Sequence, residues 1–90
     1  MTDTVDPNRQ SPVAKWIIDR VRAARITRTW TQADLADRMT HAGIPWRQHT
    51  VAGLECGFRR DITVDELVAL TEVFNVSINA LIDPTPGADA

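Results

Sequence analysis

Apolar residues recur mostly three or four positions apart along the chain, which is the spacing of one face of an α-helix. In the first segment with this spacing the apolar positions are Val13, Trp16, Ile17, Val21, Ala24 and Ile26. Ser11 and Pro12 precede it, and a serine cap followed by a proline favours helix initiation. We therefore predict a first helix over residues 12–27.

Two capping motifs predict where the second and fourth helices begin. Thr31 is followed three residues later by Asp34, and Thr63 is followed three residues later by Glu66. In such a capping box, each side chain binds a backbone N–H group that the helix leaves unpaired. The apolar positions after each box give the predicted extents of the two helices, 32–40 and 64–74.

A third helix is predicted over residues 46–56, beginning after Pro45. Val51 and Leu54 are three residues apart and should face inward. Gly57 should end this helix, because glycine adopts positive φ without steric cost.

Glycine, asparagine and serine predict the other connections. Gly43 suits a turn with positive φ, and Asn75 suits a left-handed end to the fourth helix. Ser77 is expected to cap a short fifth helix that ends before Pro84. Apolar residues in the connections should pack on the core: Trp30, Ile44, Phe58 and Ile62. Trp16 is expected in the core or at a dimer contact, and Trp46 either packs the turn or lies against a sugar-phosphate chain.

Ninety residues allow one domain, which we predict to be an all-α, compact five-helix domain over residues 11–83. Residues 1–10 and 84–90 lack helical periodicity and are expected to be a disordered arm and a flexible tail. So small a domain buries a modest fraction of its surface, so a homodimer is expected. The candidate dimer face combines part of helix one with Ile78, Leu81 and Ile82.

Composition points to a cytoplasmic protein without a cofactor. No stretch has the roughly 18 apolar residues that a membrane span needs, and the N-terminus does not resemble a signal peptide. Cys56 is the single cysteine, and its spacing from His41 and His49 matches no common zinc pattern. The carboxylates of helices four and five are expected at solvated positions. No phosphate-binding loop or nucleophile motif occurs, so we do not expect an enzyme.

The net charge of −2 conceals a strong asymmetry. All ten basic residues lie between positions 9 and 60 with four acidic residues, a net of +6, whereas six acids and no base follow from position 61 onward. Affinity for a polyanion depends on the local field rather than on the sum over the chain. The distribution therefore favours a basic half that binds nucleic acid, with a solvated charge gradient as the alternative.

Four short motifs follow one another in a set order: Thr31-Gln32-x-x-Leu35-Ala36, Thr50-Val51-x-x-Leu54-Glu55-x-Gly57, Thr63-x-x-Glu66-Leu67-x-x-Leu70 and Val76-Ser77-x-x-x-Leu81. Together they resemble the phage repressor and Cro (XRE-like) family of helix-turn-helix proteins over roughly residues 13–82. The resemblance implies a lambda-repressor-like domain whose third helix enters the major groove of DNA. The connection 40–46 is longer than is usual in that family. The third helix can therefore start later, tilt differently or gain a turn from Pro45 and Trp46.

The resemblance also implies roles for individual residues. The expected base contacts are Arg47, Gln48, His49, Ala52 and Gly53. The expected phosphate contacts are Gln32, Thr50, Arg59 and Arg60. Gln32 is further expected to brace the first base-contacting residue, and Arg25 and Glu55 to form a structural ion pair. Gln48 and His49 are the leading candidates, because glutamine can bind adenine through two hydrogen bonds and histidine can donate to guanine. The alternatives are that these two are ordinary exposed residues near a helix cap and that the Thr50 hydroxyl bonds within the helix.

The expected function is that of a transcriptional regulator, a repressor, which binds double-stranded DNA at a pseudo-palindromic operator as a homodimer. Two alternatives use the same fold. One is a protein-interaction adaptor that binds a partner through its acidic helices four and five or through the enlarged turn. The other is an antitoxin with a toxin-binding C-terminal tail.

Overall fold

The computed structural model describes residues 12–83, and this part of the chain forms five helices and no strand. The helices are α1 (Pro12–Thr27), α2 (Gln32–His41), α3 (Gln48–Glu55), α4 (Val64–Phe74) and α5 (Ile78–Ile82). The predicted all-α, five-helix architecture is confirmed. Ser11, the predicted arm over 1–10 and the predicted tail over 84–90 lie outside the described residues.

Side-chain capping explains where α2 and α4 begin. Thr31 Oγ1 accepts a hydrogen bond from the Asp34 backbone N–H at 3.0 Å, and the Asp34 carboxylate accepts one from the Thr31 N–H at 2.9 Å. Thr63 and Glu66 exchange the same two bonds, at 3.1 and 2.9 Å. Both predicted capping boxes are confirmed, and each satisfies two backbone donors that the helix cannot pair.

Left-handed residues end the middle three helices, as the sequence predicts. Gly43 follows α2 with φ 96°, Gly57 follows α3 with φ 87°, and Asn75 caps α4 with φ 55°. Thr29 also has positive φ, at 58°, in the turn between α1 and α2. The amino-acid sequence gives no sign of this positive φ, because threonine is a β-branched residue that rarely adopts a left-handed conformation.

The core lies between α1, α2, α3 and α4, and α5 packs against α1 and α4. Leu35, Met39, Val51 and Leu70 are completely enclosed, and Leu54 is buried beside them. The inward orientation predicted for Val51 and Leu54 is confirmed. The connecting residues Trp30, Ile44 and Ile62 pack against this core, as expected.

The apolar residues require two corrections, at Leu81 and Phe58, and exclude one of the two alternatives for Trp16. Leu81 is 3% exposed within the core, so it cannot form part of a dimer face, whereas Ile78 is exposed and Ile82 is half-buried. Trp16 is exposed on α1 and does not belong to the core. Phe58, predicted to pack inward, is 89% exposed.

The loop after α3 explains the orientation of Phe58. Gly57 turns the chain with positive φ, and the Arg59 backbone N–H donates to the Gly53 carbonyl at 2.9 Å. This bond folds the loop back along α3. It leaves the Phe58 ring on the side of α3 that faces away from the core. A Cβ added to Gly53 would lie 3.9 Å from the ring, so the edge of the ring is close to this glycine.

Within residues 12–83, every helix is too short or too polar to cross a lipid bilayer.

Candidate nucleic-acid interface

The first residue of α3 is Gln48, two residues later than predicted, because the chain before it is extended. Arg47 has φ −121° and ψ 169°, and the indole of Trp46 is buried in the core. The prediction that the helix begins at residue 46 is wrong, and Pro45 and Trp46 do not add a turn. The predicted packing role of Trp46 is confirmed.

The enlarged turn between α2 and α3 is held by hydrogen bonds. The Thr40 hydroxyl lies 3.0 Å from the Ala36 carbonyl and 3.1 Å from the Trp46 carbonyl, and it can donate to either. The Ile44 N–H donates to the Met39 carbonyl at 2.9 Å. These bonds tie both ends of the turn to the last two turns of α2.

Gln48 is connected through a chain of hydrogen bonds to α2 and α1. Its Nε2 donates to Gln32 Oε1 at 2.9 Å, and Gln32 Nε2 donates to Glu55 Oε1 at 3.1 Å. Glu55 in turn accepts from Arg25 through both of its oxygens. The contact between Gln32 and Gln48 is the brace that the family resemblance implies. It leaves Gln48 one amide hydrogen and its carbonyl oxygen for a ligand.

The predicted ion pair between Arg25 and Glu55 is confirmed and has a two-pronged geometry. Arg25 Nε and Nη2 donate to the carboxylate at 2.7 and 2.8 Å, and the two side chains are 12% and 7% exposed. Burial raises the pKa of Glu55, but hydrogen bonds from Arg25 and Gln32 outweigh it, so the pKa lies below its usual value. The same bond to Glu55 raises the pKa of Arg25. Both groups are therefore charged at neutral pH.

The outer side of α3, which faces away from the core, carries residues of different solvent exposure. Arg47 and His49 are exposed, and Ala52 and Gly53 are half-buried. A surface groove of about 790 Å³ runs along this side, and Ala52, Cys56 and the Phe58 ring are among its walls. Gly53, an expected base contact, also lines this groove; its carbonyl accepts a hydrogen bond from the Arg59 N–H at 2.9 Å.

Thr50 has a role inside the helix. Its hydroxyl oxygen accepts a hydrogen bond from the Arg47 backbone N–H at 3.2 Å, and its side chain is half-buried. The alternative in which this hydroxyl bonds within the helix is therefore the arrangement observed. The bond satisfies the backbone N–H of Arg47, the residue that precedes α3.

Arg59 is corrected from a phosphate contact to a structural residue. Its Nη2 lies 2.5 and 2.6 Å from the two oxygens of Glu66, and its side chain is 26% exposed. Its guanidinium carbon also lies 5.9 Å from the centre of the Trp46 ring. Desolvation lowers the pKa of Arg59, but the hydrogen bonds and negative charges of Glu66 and Asp61 together outweigh this effect and raise the pKa overall. Arg60 is exposed, and its Nε donates to the Gly57 carbonyl at 3.2 Å.

Glu66 is the functional candidate that sequence reasoning missed. The expectation that the carboxylates of the fourth helix are solvated is wrong for this residue, which is 8% exposed. It accepts from Trp46 Nε1 at 2.9 Å, from the Thr63 N–H at 2.9 Å and from Arg59. Burial raises its pKa, and the three hydrogen-bond donors together lower it below its usual value. The capping box identifies one of these partners, but the other two come from the tertiary fold.

Only part of the basic half of the chain faces solvent. Arg28 is half-buried and donates to the carbonyls of Ala24 and Phe74 at 3.1 and 2.8 Å, whereas Arg38 is exposed although it lies over the ring of Trp30 at 4.0 Å. The net charge of the segment therefore overstates the positive field at its surface. Three of its arginines are exposed and lie on or close to α3: Arg22, Arg47 and Arg60.

Within the described residues, His, Cys, Asp and Glu side chains form no group of three or more that could hold a metal ion. Cys56 is an exposed thiol, and its Sγ lies 3.6 Å from the Gly53 carbonyl.

Comparison with known proteins adds no assignment for this arrangement of residues. No protein-family model matches the sequence, and no curated protein or solved structure matches it significantly.

Proposed function

We propose that the protein is a sequence-specific transcriptional regulator that inserts α3 into the major groove of duplex DNA and represses by occupying its operator. An α-helix fits the major groove, where each base pair presents a distinct pattern of donors and acceptors. Residues at the N-terminal end of an inserted helix meet these base edges. In this protein those residues are Arg47, Gln48 and His49.

The observation that carries the proposal is the geometry of Gln48. The Gln48 amide is exposed at the first position of α3. One of its two N–H groups donates to the Gln32 side chain, which holds the amide in place. The remaining N–H and the carbonyl oxygen are the pair that binds N7 and the 6-amino group of adenine. Because Gln32 is itself bonded to Glu55, the amide is oriented before DNA arrives, which lowers the entropic cost of binding.

Exposed positive charge near α3 supports the proposal. Arg22, Arg47 and Arg60 can bind phosphates, which position a protein on the duplex without selecting a sequence. Gln32 lies in the first turn of α2, where unpaired backbone N–H groups attract phosphate. A homodimer would place two such surfaces on half-sites about one helical turn apart. Exposed apolar side chains of α1 and α5, Trp16 and Ile78, are available for its interface.

The test is selection of bound sequences from a pool of random duplexes, followed by affinity measurement for the selected site and a scrambled one. We expect an enriched, roughly palindromic sequence. The Gln48→Ala variant should relax the preference at one base pair in each half-site, at a cost of about 1–3 kcal/mol. The control is Asn79→Ala, on exposed α5 surface. The absence of an enriched sequence would refute the proposal.

A protein partner is the second candidate, because two large apolar side chains near α4 are exposed. Phe58 is 89% exposed, and Val64 is exposed at the start of α4. Aromatic residues are enriched at protein interfaces. If the protein binds one defined partner protein and binds all DNA sequences weakly and equally, the protein-binding function is favoured over the DNA-binding one.

A further inference from the structure

We propose that Glu66 is a positioning residue that sets the DNA sequence preference of α3 by holding the chain on both sides of that helix. The inference rests on the proposed function of α3. Glu66 belongs to α4, and its carboxylate is buried in the fold rather than presented on the outer side of α3. Its effect on base preference would therefore be transmitted through other residues.

Two of its partners flank α3 in the sequence. Trp46 lies two residues before Gln48, and its indole N–H donates to Glu66 Oε2 at 2.9 Å. Arg59 lies four residues after Glu55, and its Nη2 contacts both carboxylate oxygens, at 2.5 and 2.6 Å. One side chain thus holds the segment that enters α3 and the loop that leaves it.

The third bond of Glu66 fixes the carboxylate itself. Its Oε1 accepts from the Thr63 backbone N–H at 2.9 Å, as the second half of the α4 capping box. The carboxylate is therefore held in a fixed position on α4, and Trp46 and Arg59, on the two sides of α3, both donate hydrogen bonds to it. Substituting Glu66 should change where those flanks lie without removing any group on the outer side of α3.

Helix α3 needs such ties because it is short. Eight residues are too few for a helix to be stable on its own in water, so its position depends on tertiary contacts. The bonds among Gln32, Glu55 and Arg25 tie α3 to α2 and α1. Glu66 supplies the corresponding tie to α4, on the enlarged turn that precedes α3.

Loss of the bond from Trp46 and loss of the bond from Arg59 should affect base preference at different positions of the DNA site. Removing the bond from Trp46 loosens the segment before Gln48, so preference should relax first at the base pair that Gln48 contacts. Removing the bond from Arg59 loosens the loop after α3, so preference should relax at the base pair nearest Ala52, in the second half of that helix. A general loss of stability would instead weaken the base preference at all positions of the site.

The experiment compares Glu66→Gln with Asp65→Asn, which removes a carboxylate from the exposed neighbouring position of the same helix turn. Affinity is measured for the selected duplex and a scrambled duplex over a range of salt concentrations, at a temperature where circular dichroism shows every variant folded. Amide hydrogen exchange of the free proteins is followed in α1 and α3. Trp46→Phe and Arg59→Met test the two flanks separately.

For Glu66→Gln we expect the ratio of specific to non-specific affinity to fall roughly tenfold, which is the order of loss for one good base contact. The salt dependence of non-specific binding should not change, and α3 amides should exchange faster while α1 amides do not. Asp65→Asn should behave as the wild type. If Glu66→Gln does not fold, Trp46→Phe decides the question, because it keeps an aromatic ring in the core while it deletes the N–H donor together with part of the indole.

A folded Glu66→Gln variant with the wild-type affinity ratio would overturn the inference and leave the proposed function intact. Equal losses on both duplexes, with faster exchange in α1 as well as α3, would also overturn it, because they indicate general destabilisation. A wild-type protein without any sequence preference would overturn the proposed function, and this inference with it.

Discussion

Glu55 and Glu66 illustrate how a buried carboxylate is kept charged in a small domain. Their side chains are 7% and 10% exposed, and each accepts hydrogen bonds from an arginine and from at least one neutral donor. A buried charge without such donors would shift its pKa and become neutral. Both pairs join residues that are distant in sequence or in different elements, so each holds the tertiary fold as well as its own charge.

Breaking the Arg25–Glu55 pair from one side should cost more than removing it. In Arg25→Ala the Glu55 charge stays buried with its two strongest donors gone, at a cost of about 3–5 kcal/mol. The double variant Arg25→Gln with Glu55→Gln leaves no buried charge and should be less destabilised. Free energies of unfolding in urea measure both effects. Strict additivity of the two single Gln substitutions would contradict this prediction.

The lowered pKa values of Glu55 and Glu66 predict loss of stability in acid. Both folded-state values lie below the ordinary value of 4.5 that an unfolded glutamate has. The unfolded chain therefore binds more protons than the folded chain as the pH falls below about 4.5. The stability from these groups is present above that pH and is lost as the pH falls through the folded-state values.

Urea midpoints measured between about pH 7 and pH 3 test this prediction. The wild type should lose stability below about pH 4.5, and Glu66→Gln should lose less over the same range, because one of the two contributing groups is absent. Asp65→Asn, at an exposed position, should follow the wild type. Parallel curves for Glu66→Gln and the wild type would show that Glu66 does not contribute.

At the scale of elements, the loop after α3 is built to hold its path while exposing an aromatic ring. Positive φ at Gly57 and the bond from the Arg59 N–H to the Gly53 carbonyl fix the backbone of the loop. The ion pair of Arg59 with Glu66 then attaches the loop to the start of α4. The Phe58 ring therefore projects beside the outer side of α3 without contributing to the core.

Phe58→Ala should consequently leave stability nearly unchanged, within about 0.5 kcal/mol, as for most surface substitutions. The matched control is Phe74→Ala, which removes a ring buried in the core and should cost about 3–5 kcal/mol. Thermal unfolding of both variants measures the difference. If α3 enters DNA, Phe58→Ala should also weaken binding, whereas a substantial loss of stability would show that the ring packs inward in solution.

At the scale of the whole molecule, the fold divides the arginines of the basic half into two groups. Arg25, Arg28 and Arg59 are part-buried and bond to groups of the protein itself. Arg22, Arg38, Arg47 and Arg60 are exposed, although Arg22 also lies 3.8 Å from Glu55 and Arg60 also donates to a backbone carbonyl. The field that a polyanion meets is therefore set by where the fold places each arginine and not by the charge total of the segment.

This division predicts the salt dependence of DNA binding. Each phosphate contact contributes a slope of about −0.9 to the plot of log Kobs against log salt concentration. Arg60→Gln should therefore reduce the slope by about 1 and weaken binding to all sequences alike. Arg28→Gln should leave the slope unchanged and lower the stability instead. Equal slopes for Arg60→Gln and the wild type would remove Arg60 from the interface.

Local chemistry in the sequence determined most of the fold. The extents of α1 and α4, the two capping boxes and the left-handed ends at Gly43, Gly57 and Asn75 all follow from residues within one or two helical turns of each other. Gln48 and the Arg25–Glu55 pair were identified through the order and spacing of the family motifs. Such features are predictable because their partners are close in sequence or part of a recurring pattern.

Only the tertiary structure decided where α3 begins, which way Phe58 faces and what Arg59 and Glu66 do. Trp46 and Glu66 are twenty residues apart, and their bond accompanies the extended chain that delays α3 to Gln48. Glu66 looks like a helix cap in the sequence, and Arg59 looks like a surface charge. Their other partners are set by how the fold brings the chain on both sides of α3 to the start of α4, and no local pattern of residues encodes that arrangement.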